Sequence, residues 1–427
     1  MLMSPPVALN YERFRQLNLR LDMSRGKPSP EQLDLSQAII DDAALAGHRA
    51  RDGFDCRNYG LASGLPEARE LGAELLGVSA AQVVAAGNSS LELMHDVLAF
   101  ALLHGVPVEM GQGAGEGEKG EGERTSAPWR AQGEIAFLCP VPGYDRHFAI
   151  CEALGVRMIA VPMRDDGPDM DRVEALVRED ASIKGMWCVP LYSNPSGAIW
   201  SDDVIRRLAA MPAAPDFRLF WDDAYRFHHL GDEALTTLDV HAACAEAGHA
   251  ERVLMFASLS KVTVAGGAFA WLAAGPRNIA WWQKHSAIRT IGPDKLNQLR
   301  HVRFLRDRAG VLALMARHRA LLKPRFDAVD AVFRARLSGI EGVSWNAPRG
   351  GYFISLYTPE GCARRTVELA AAAGLILTPA GAAYPYGDDP RDSHLRIAPS
   401  FPALEEVRLA AEGIALSLLK AIEQRRV

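Results

Sequence analysis

Short apolar runs of strand length alternate with amphipathic helical patterns through the middle of the chain. Alternation of this kind is typical of a mainly parallel β-sheet covered by helices on both faces. Ligands of such sheets bind beyond the carboxyl ends of the strands, so polar residues that directly follow an apolar run are the first candidates for a functional site. The five clearest runs are EIAFLCP (134–140), VRMIAVPM (156–163), KGMWCVP (184–190), FRLFWDD (217–223) and RVLMFAS (252–258).

A different pattern begins near Arg303, where one long helical periodicity leads into a region of mixed strands and helices. Its strand-like stretches are GGYFISLY, LILTP and HLRIAP, and its helical ones are TVELAAAAG and a last helix from Leu404. We therefore predict an α/β protein in which residues 51–310 form a large domain and residues 311–427 a smaller α+β domain. Residues 1–50 are expected to pack with the smaller domain. The Gly/Glu-rich stretch 110–133 cannot bury a core and is expected to be a flexible inserted loop.

Composition narrows the class of protein. The 427 residues, 48% of them hydrophobic, are enough for two domains with cores of their own. A net charge of -5 without a Lys/Arg run argues against nucleic acid as a partner. The six cysteines have neither CxxC nor metal-ligand spacing, so we expect no metal site and no disulfide framework. Because no signal peptide or membrane-spanning run is visible, we expect a cytoplasmic protein without a membrane partner.

Two polar clusters directly follow apolar runs. In SLSK (258–261), Lys261 stands at a strand end, where a water-poor cleft would lower the pKa of its amine and make it a nucleophile toward an aldehyde. In WDDAYRF (221–227), Asp222 could keep a pyridine nitrogen protonated while Tyr225 donates to a phenolic oxygen. Taken alone, these residues are equally compatible with a surface lysine and with a helix N-cap aspartate beside a packed tyrosine.

Two further clusters could complete the same site. In YSNPSG (192–197), the proline holds Asn194 extended and fixes its amide as a donor. In GNSS, Ser89 and Ser90 open an amphipathic helix whose free N–H groups suit a phosphate monoester. A plain Asn-Pro turn and simple helix capping are the alternatives. The order of all four clusters along one sheet edge favours a shared site.

NPSG, DDAY and SLSK resemble, in order and separation, the three cofactor motifs of the class I aminotransferases, which are fold type I enzymes dependent on pyridoxal 5'-phosphate (PLP). SRGKPSPEQLDLS, NYGLASGLPEAREL and TIGPDKLNQLRH look like the aspartate aminotransferase branch called subgroup Ic, which also resembles the effector domain of MocR-type regulators. The resemblance runs from about Gly26 to Pro402. It implies the PLP-dependent transferase fold, with a mainly parallel, seven-stranded-type sheet in the large domain.

Position by position, the resemblance implies roles around the cofactor ring. Lys261 would be the Schiff-base lysine and proton shuttle, and Asp222 would contact the pyridine nitrogen. Asn194 and Tyr225 would contact the phenolic oxygen, and Tyr144 of CPVPGYDRH would stack on the ring. A packed loop tyrosine is the alternative for Tyr144.

The resemblance also implies how phosphate and substrate are held. Ser89, Ser90 and Ser258 would hold the phosphate, and Tyr59 of NYG would reach it from a second subunit, which implies a homodimer with active sites at the interface. Arg396 of HLRIAPS would bind the substrate α-carboxylate, Gly26 would let the substrate approach, and Asn194 would contact the substrate as well as the cofactor. A salt-bridged surface arginine and a turn glycine are the alternatives for these two residues.

Some positions leave the pattern incomplete. The family places a phosphate-binding arginine eight residues after the lysine, and that position here is Phe269. We expect hydroxyls, backbone donors and another cation to replace the arginine, and cofactor binding weaker than is usual in the family is the alternative. Arg289 or Lys295 would supply, across the dimer interface, the second cation that a dicarboxylic substrate needs, although each could equally be a solvated helix charge.

The expected activity is ping-pong transamination between an L-amino acid and a 2-keto acid, with aspartate and 2-oxoglutarate as the expected pair. Within PLP chemistry, the alternative is a lyase or decarboxylase, since the same set of cofactor contacts supports several bond cleavages. A non-catalytic, ligand-sensing domain of a MocR-type regulator is the alternative from another class. That alternative requires a DNA-binding helix-turn-helix, for which the segment before Gly26 is expected to be too short.

Overall fold

The structure is a computed structural model that describes residues 9–41, 47–108 and 125–425. Most of the loop predicted over 110–133, namely residues 110–124, lies outside the described residues. The strands are β1 (Leu21–Asp22), β2 (Val83–Ala86), β3 (Ala136–Val141), β4 (Arg157–Arg164), β5 (Gly167–Pro168), β6 (Ile183–Cys188), β7 (Arg218–Asp222), β8 (Val253–Ser258), β9 (Ala270–Ala274), β10 (Ser344–Trp345), β11 (Ile354–Tyr357), β12 (Leu375–Ile376) and β13 (His394–Ile397).

The helices cover the sheet faces and form much of the C-terminal part. They are α1 (Tyr11–Gln16), α2 (Pro30–Asp34), α3 (Pro66–Leu76), α4 (Ser90–His104), α5 (Asp145–Ala153), α6 (Met170–Glu179), α7 (Asp202–Ala210), α8 (Val240–Glu246), α9 (Pro276–Arg289), α10 (Lys295–Leu305), α11 (Arg308–Leu337), α12 (Ala363–Ala372) and α13 (Leu404–Arg425). Short 3-10 turns cover Gln37–Ile39, Ala80–Gln82, Trp129–Gln132, Ala265–Gly267 and Pro385–Gly387.

The large sheet has the order β2-β9-β8-β7-β6-β3-β4-β5 in the described part of the chain. The strands from β8 to β4 pair in parallel, as the five apolar runs predicted, so the α/β class with a mainly parallel sheet is confirmed. Antiparallel pairing is confined to β2 and β9 at one edge and β5 at the other. Because all five central strands run the same way, their carboxyl ends meet at one edge of the sheet.

Strand β7 illustrates why these segments are strands. All five of its residues are buried, and successive side chains point to opposite faces of the sheet. Leu219 joins the hydrophobic cluster on one face and Phe220 the cluster on the other. Burial on both faces is what produces a continuous apolar run rather than an alternating one.

A second core lies in the C-terminal part of the chain. Strands β10, β11 and β13 form an antiparallel sheet, and α11, α12 and α13 pack beside it. The N-terminal segment joins this core, because β1 pairs in parallel with β12 and the side chains of Tyr11 and Phe14 are buried in the same cluster. Helix α11 spans both parts, with Val311 in a core of the large sheet and Phe326 in the second core.

The long helical pattern predicted from Arg303 is divided into two helices. Helix α10 ends at Leu305, Arg306 has a positive φ of 66°, and α11 starts at Arg308. The Asp307 carboxylate caps the new helix by accepting from the Gly310 N–H at 2.8 Å. Periodicity continued through the break because residues on both sides are amphipathic, so the apolar pattern alone did not reveal it.

Candidate active site

A cavity of about 590 Å³ opens at the carboxyl edge of the large sheet, where the loops after β6, β7 and β8 face β13 and the segment between β1 and α2. It brings together residues that lie far apart in sequence. Six of the predicted site residues line it: Gly26, Tyr144, Asn194, Tyr225, Lys261 and Arg396.

Lys261 follows β8 and projects toward Tyr225, with its Nζ 5.1 Å from the centre of the tyrosine ring. Burial lowers the pKa of the lysine amine below its usual value, and the Asp222 carboxylate partly opposes this. A lowered pKa leaves more of the amine uncharged at neutral pH, which is what a nucleophilic lysine needs.

Asp222 is the last residue of β7 and is buried behind the cavity. Its Oδ2 lies 3.1 Å from Nε2 of His147, whose ring stacks on Trp187 with ring centres 4.3 Å apart. The other carboxylate oxygen, Oδ1, is buried and has no hydrogen-bond partner among the described residues. A buried, unsatisfied carboxylate oxygen is costly, and a protonated ring nitrogen is the kind of donor that would satisfy it.

Asn194 and Tyr225 stand on the loops after β6 and β7. The side-chain oxygen of Asn194 is also buried without a partner among the described residues. Burial, with the nearby Tyr144 and Asp222, raises the pKa of Tyr225 well above its usual value, so its phenol stays protonated and can donate. Together with Asp222, these groups fit a planar cofactor that carries a ring nitrogen and a phenolic oxygen.

Arg396 lies on β13 with its side chain 8% exposed. One of its guanidinium nitrogens, Nη1, donates to Oδ1 of Asp145 at 2.6 Å, and the guanidinium carbon lies 5.1 Å from the centre of the Phe353 ring. Its Nε is buried without a partner among the described residues. A β-carbon added at Gly26 would collide with Phe353, so Gly26 and Arg396 enclose the same aromatic ring from two sides.

The predicted phosphate residues Ser89, Ser90 and Ser258 do not line the Lys261 cavity and stand at the start of α4 and the end of β8. Ser89 is the N-cap of α4, and Ser258 ends β8, where its hydroxyl donates to Ser260 at 3.2 Å. Ser260 in turn donates to the Asn88 carbonyl at 3.5 Å, which joins the lysine segment to the start of α4. A second cavity, of about 680 Å³, is lined by Asn88 and by Phe269, the residue in the place of the family's arginine.

The residues expected to act across a subunit interface, Tyr59, Arg289 and Lys295, also do not line the Lys261 cavity of their own chain. Tyr59 is 78% exposed. Arg289 forms ion pairs with Glu92 at 3.1 Å and Asp96 at 2.9 Å, and Lys295 is buried with its amine 3.3 Å from the Pro293 carbonyl.

Sequence reasoning missed two residues of the site, His147 and Asp145. Both lie in the GYDRH segment that was noted for Tyr144, at the start of α5. A histidine three residues after Tyr144 lies nearly one helical turn further along, which was a usable signal for His147. The partnership of Asp145 with Arg396 joins residues 251 positions apart and left no local signal.

Some other features bear on function. No described helix has the length and apolar character to cross a membrane. Within residues 9–41, 47–108 and 125–425, no group of His, Cys, Asp and Glu side chains could hold a metal ion. All six cysteines are buried.

Comparison with known proteins identifies the family. The sequence model of the family described as aspartate amino-transferase matches residues 6–427. A protein of Mycolicibacterium smegmatis is 49% identical over 96% of this chain and 93% of its own length. An aspartate aminotransferase of Corynebacterium glutamicum is 42% identical, over 96% of this chain and 91% of its own.

Comparison with solved structures leads to the same family. A crystal structure of an aspartate transaminase from Corynebacterium glutamicum matches with a TM-score of 0.91 over 98% of this chain and 95% of its own. LysN, an α-aminoadipate aminotransferase of Thermus thermophilus solved with N-(5'-phosphopyridoxyl)-L-leucine, shares the fold at 19% identity, with a TM-score of 0.75 over 97% of this chain and 96% of its own. The chain therefore belongs to the aspartate aminotransferase family of fold type I, pyridoxal-phosphate-dependent aminotransferases.

Proposed function

We propose that the protein transfers the amino group of L-aspartate to 2-oxoglutarate by ping-pong transamination, with PLP bound through Lys261. The observation that carries the proposal is the convergence of a lysine of lowered pKa with Asn194, Tyr225 and Arg396 in one cavity. PLP supplies an electron sink that stabilises negative charge at the substrate Cα. The name of the 42% identical relative from Corynebacterium glutamicum supports the choice of aspartate.

Each side chain then has a task that follows from its surroundings. The Nζ of Lys261 carries the proton away from the substrate Cα, which a lowered pKa favours because the amine must be free to accept it. Asp222 would hold the ring nitrogen of PLP with its unsatisfied oxygen, while His147 contacts the other oxygen. Asn194 and Tyr225, which line the cavity, would donate to the phenolic oxygen of PLP, and Tyr144, which lines it too, would pack on the cofactor ring.

For the phosphate we propose Ser89, Ser90 and Ser258. Ser89 and Ser90 sit at the N-terminus of the fifteen-residue helix α4, whose first N–H groups favour an anion. The hydrogen bonds of Ser260 with Ser258 and with the Asn88 carbonyl support the proximity of these segments. Hydroxyls and helix N–H groups would thus take over from the arginine that Phe269 replaces.

We propose that the substrate α-carboxylate binds Arg396 and that Gly26 leaves room for it. The distal carboxylate of aspartate needs a second cation. Arg25 and Arg146 line the cavity, and neither forms an ion pair with a described carboxylate. They are same-chain candidates, beside Arg289 or Lys295 from a second subunit.

We further propose a cytoplasmic homodimer in which Tyr59 completes the active site of the second subunit. Tyr59 is 78% exposed, and the nearby segment 288–291 exposes Ile288 by 86% and Ile291 by 64%. The two segments touch, since a β-carbon at Gly292 would collide with the Gly60 carbonyl. Exposed apolar side chains on two neighbouring segments are typical of a protein interface.

The visible absorbance of the purified, PLP-loaded protein tests the proposal. Addition of L-aspartate should bleach the cofactor band, and 2-oxoglutarate should restore it, whereas Lys261→Ala should lack the wild-type band. An unchanged band with aspartate, or a wild-type response from Lys261→Ala, would overturn the proposal. Release of ammonia or carbon dioxide without a keto acid would favour the lyase or decarboxylase alternative.

The distal cation is tested separately with Arg25→Ala and Arg146→Ala. Removal of the arginine that binds the distal carboxylate should raise the KM for aspartate by about tenfold or more, as expected for a lost charged hydrogen bond. The KM for alanine, which has no distal carboxylate, should stay nearly unchanged. If neither variant separates the two substrates, Arg289→Ala and Lys295→Ala address the cations of the second subunit.

A further inference from the structure

Three buried histidines contact three successive residues of the turn that carries Lys261. Nε2 of His228 lies 3.2 Å from the Lys261 carbonyl, and Nε2 of His318 lies 3.0 Å from the Val262 carbonyl. Nε2 of His301 lies 3.0 Å from the Thr263 hydroxyl. The histidines come from the loop after β7 and from helices α10 and α11, so the turn is supported from three directions.

The ring of His318 is fixed by a second contact. Its Nδ1 lies 2.9 Å from Nε2 of Gln32, and an amide nitrogen only donates, so Nδ1 accepts and Nε2 carries the hydrogen given to Val262. Gln32 is itself held, because its side-chain oxygen accepts from the Ser29 N–H at 3.1 Å. The orientation of His318 therefore depends on a segment more than 200 residues away in sequence.

The other two rings are fixed as well. Nδ1 of His301 donates to the Asn297 carbonyl at 2.9 Å, one turn earlier on α10. His228 packs edge-on against Tyr225 and Tyr352, with ring centres 5.6 Å and 5.3 Å apart. Rings with such contacts cannot rotate freely, so they restrict the positions of the atoms of the turn that they contact.

Burial also keeps the three rings uncharged. All three are almost fully buried, and burial lowers the pKa of His228 to about 3, that of His318 to about 4 and that of His301 below its usual value. At neutral pH they therefore bind the turn without placing a positive charge beside the lysine amine. Among the described groups, Asp222 is the carboxylate that acts on Lys261.

We propose that His228, His301 and His318 are positioning residues that hold the turn of residues 261–263, through the carbonyls of Lys261 and Val262 and the hydroxyl of Thr263, and so fix the direction of the Lys261 amine. This inference rests on the proposed role of Lys261. The lysine must reach a cofactor carbon and later the substrate Cα, and rotation of its peptide backbone would move Nζ by more than either reaction tolerates.

The test measures the capture of PLP by Lys261 in the cofactor-free protein, with borohydride reduction at successive times and mass analysis of the Lys261 peptide. At position 318, glutamine places its amide nitrogen near the site of Nε2, whereas asparagine places it near Nδ1. His318→Asn therefore loses the contact with Val262 while His318→Gln keeps it. The same pair of substitutions applies to His228.

We expect capture to slow about tenfold or more in His318→Asn and His228→Asn, the factor that corresponds to one lost hydrogen bond of ordinary strength, and to recover in the glutamine variants. His241→Asn is the matched control. His241 is a buried histidine of α8 whose pKa burial also lowers to about 4, and no hydrogen bond joins it to residues 261–263 in the described part of the chain. Its variant should lose thermal stability and keep the wild-type capture rate.

Equal capture rates in the asparagine variants, the glutamine variants and His241→Asn would overturn the inference. The inference would also be overturned if PLP capture slowed in all of these variants in proportion to their loss of thermal stability. Lys261→Ala separates this inference from the proposed function. If the alanine variant captures PLP on another lysine and stays active, the role of Lys261 is wrong. If it loses capture while the asparagine variants behave as wild type, only the positioning role is wrong.

Discussion

At Gly26, one added carbon atom would disturb the packing of the proposed substrate site. A β-carbon at this position would collide with the ring of Phe353, which packs on Arg396. We predict that Gly26→Ala displaces the ring, costs about 1–3 kcal/mol of stability through overpacking, and raises the KM for the amino donor about tenfold because Arg396 loses its support. Steady-state kinetics and thermal unfolding measure the two effects.

Matched variants isolate the collision as the cause. Gly231→Ala places its methyl group in open space and should change neither quantity. The double variant Gly26→Ala/Phe353→Leu removes the far end of the ring and should recover part of the KM. An unchanged KM in Gly26→Ala would contradict the predicted link between Gly26 and Arg396.

At the residue scale, the sequence allowed prediction of those site residues that lie within a short local motif. Asn194, Tyr225 and Lys261 each follow an apolar run, so their convergence in one cavity could be anticipated from the parallel order of the strands. The Asp145–Arg396 ion pair depends on how two distant segments pack. No spacing rule reports such a contact, and the same holds for the three histidines behind Lys261.

At the scale of elements, the start of α11 depends on one side chain. The Asp307 carboxylate accepts from the Gly310 N–H, one of the N–H groups that the first turn of a helix leaves unsatisfied. We predict that Asp307→Ala lowers the free energy of unfolding by about 1 kcal/mol, the usual cost of a lost N-cap. Urea unfolding measures it, and Glu341→Ala, at an exposed loop position, should leave the value unchanged.

The elements also show where apolar patterns suffice and where they fail. Continuous runs identified β3, β6, β7 and β8 because burial on both faces leaves little choice of residue type. Strand β4 was identified by its apolar run too, although most of its residues are only partly buried or exposed. Strands β2 and β9, which pair antiparallel at one edge, were not singled out. Their apolar stretches, VVAA and AWLAA, are short and rich in alanine, which has no preference for strands.

At the scale of the whole molecule, buried histidines link stability to pH. Burial holds the pKa of His318 and His394 at about 4 and that of His228 at about 3, against an ordinary value of 6.5. Between pH 6.5 and pH 4 the unfolded chain therefore binds more protons than the folded protein, and the free energy of unfolding must fall as the pH falls.

Urea unfolding between pH 7 and pH 4 measures this slope. Each such histidine contributes at most about 1.4 kcal/mol per pH unit within the window, and His318→Gln should make the slope shallower by removing one of them. A stability that is constant or rises as the pH falls from 6.5 to 4 would contradict the prediction.

The proposed dimer gives a second prediction for the whole molecule. Lys261→Ala and Tyr59→Ala should each be nearly inactive as homodimers. When the two variants are unfolded together and refolded, a mixed dimer contains one site with an intact Lys261 and an intact Tyr59 from the other subunit. Activity should rise toward about a quarter of the wild-type value, since half of the dimers would be mixed and each would have one complete site. No gain on mixing would place Tyr59 outside the partner's site.

The Asp145–Arg396 ion pair has a consequence for selectivity. Arg396 should bind a simple anion only weakly, because the anion must compete with the Asp145 carboxylate, which the fold already holds beside the guanidinium. A substrate would make further contacts in the cavity and could displace the Asp145 carboxylate, whereas acetate, chloride or bicarbonate has no such further contacts. We therefore expect the site to ignore the small anions that fill a cell and to respond to molecules that carry several matching groups at once.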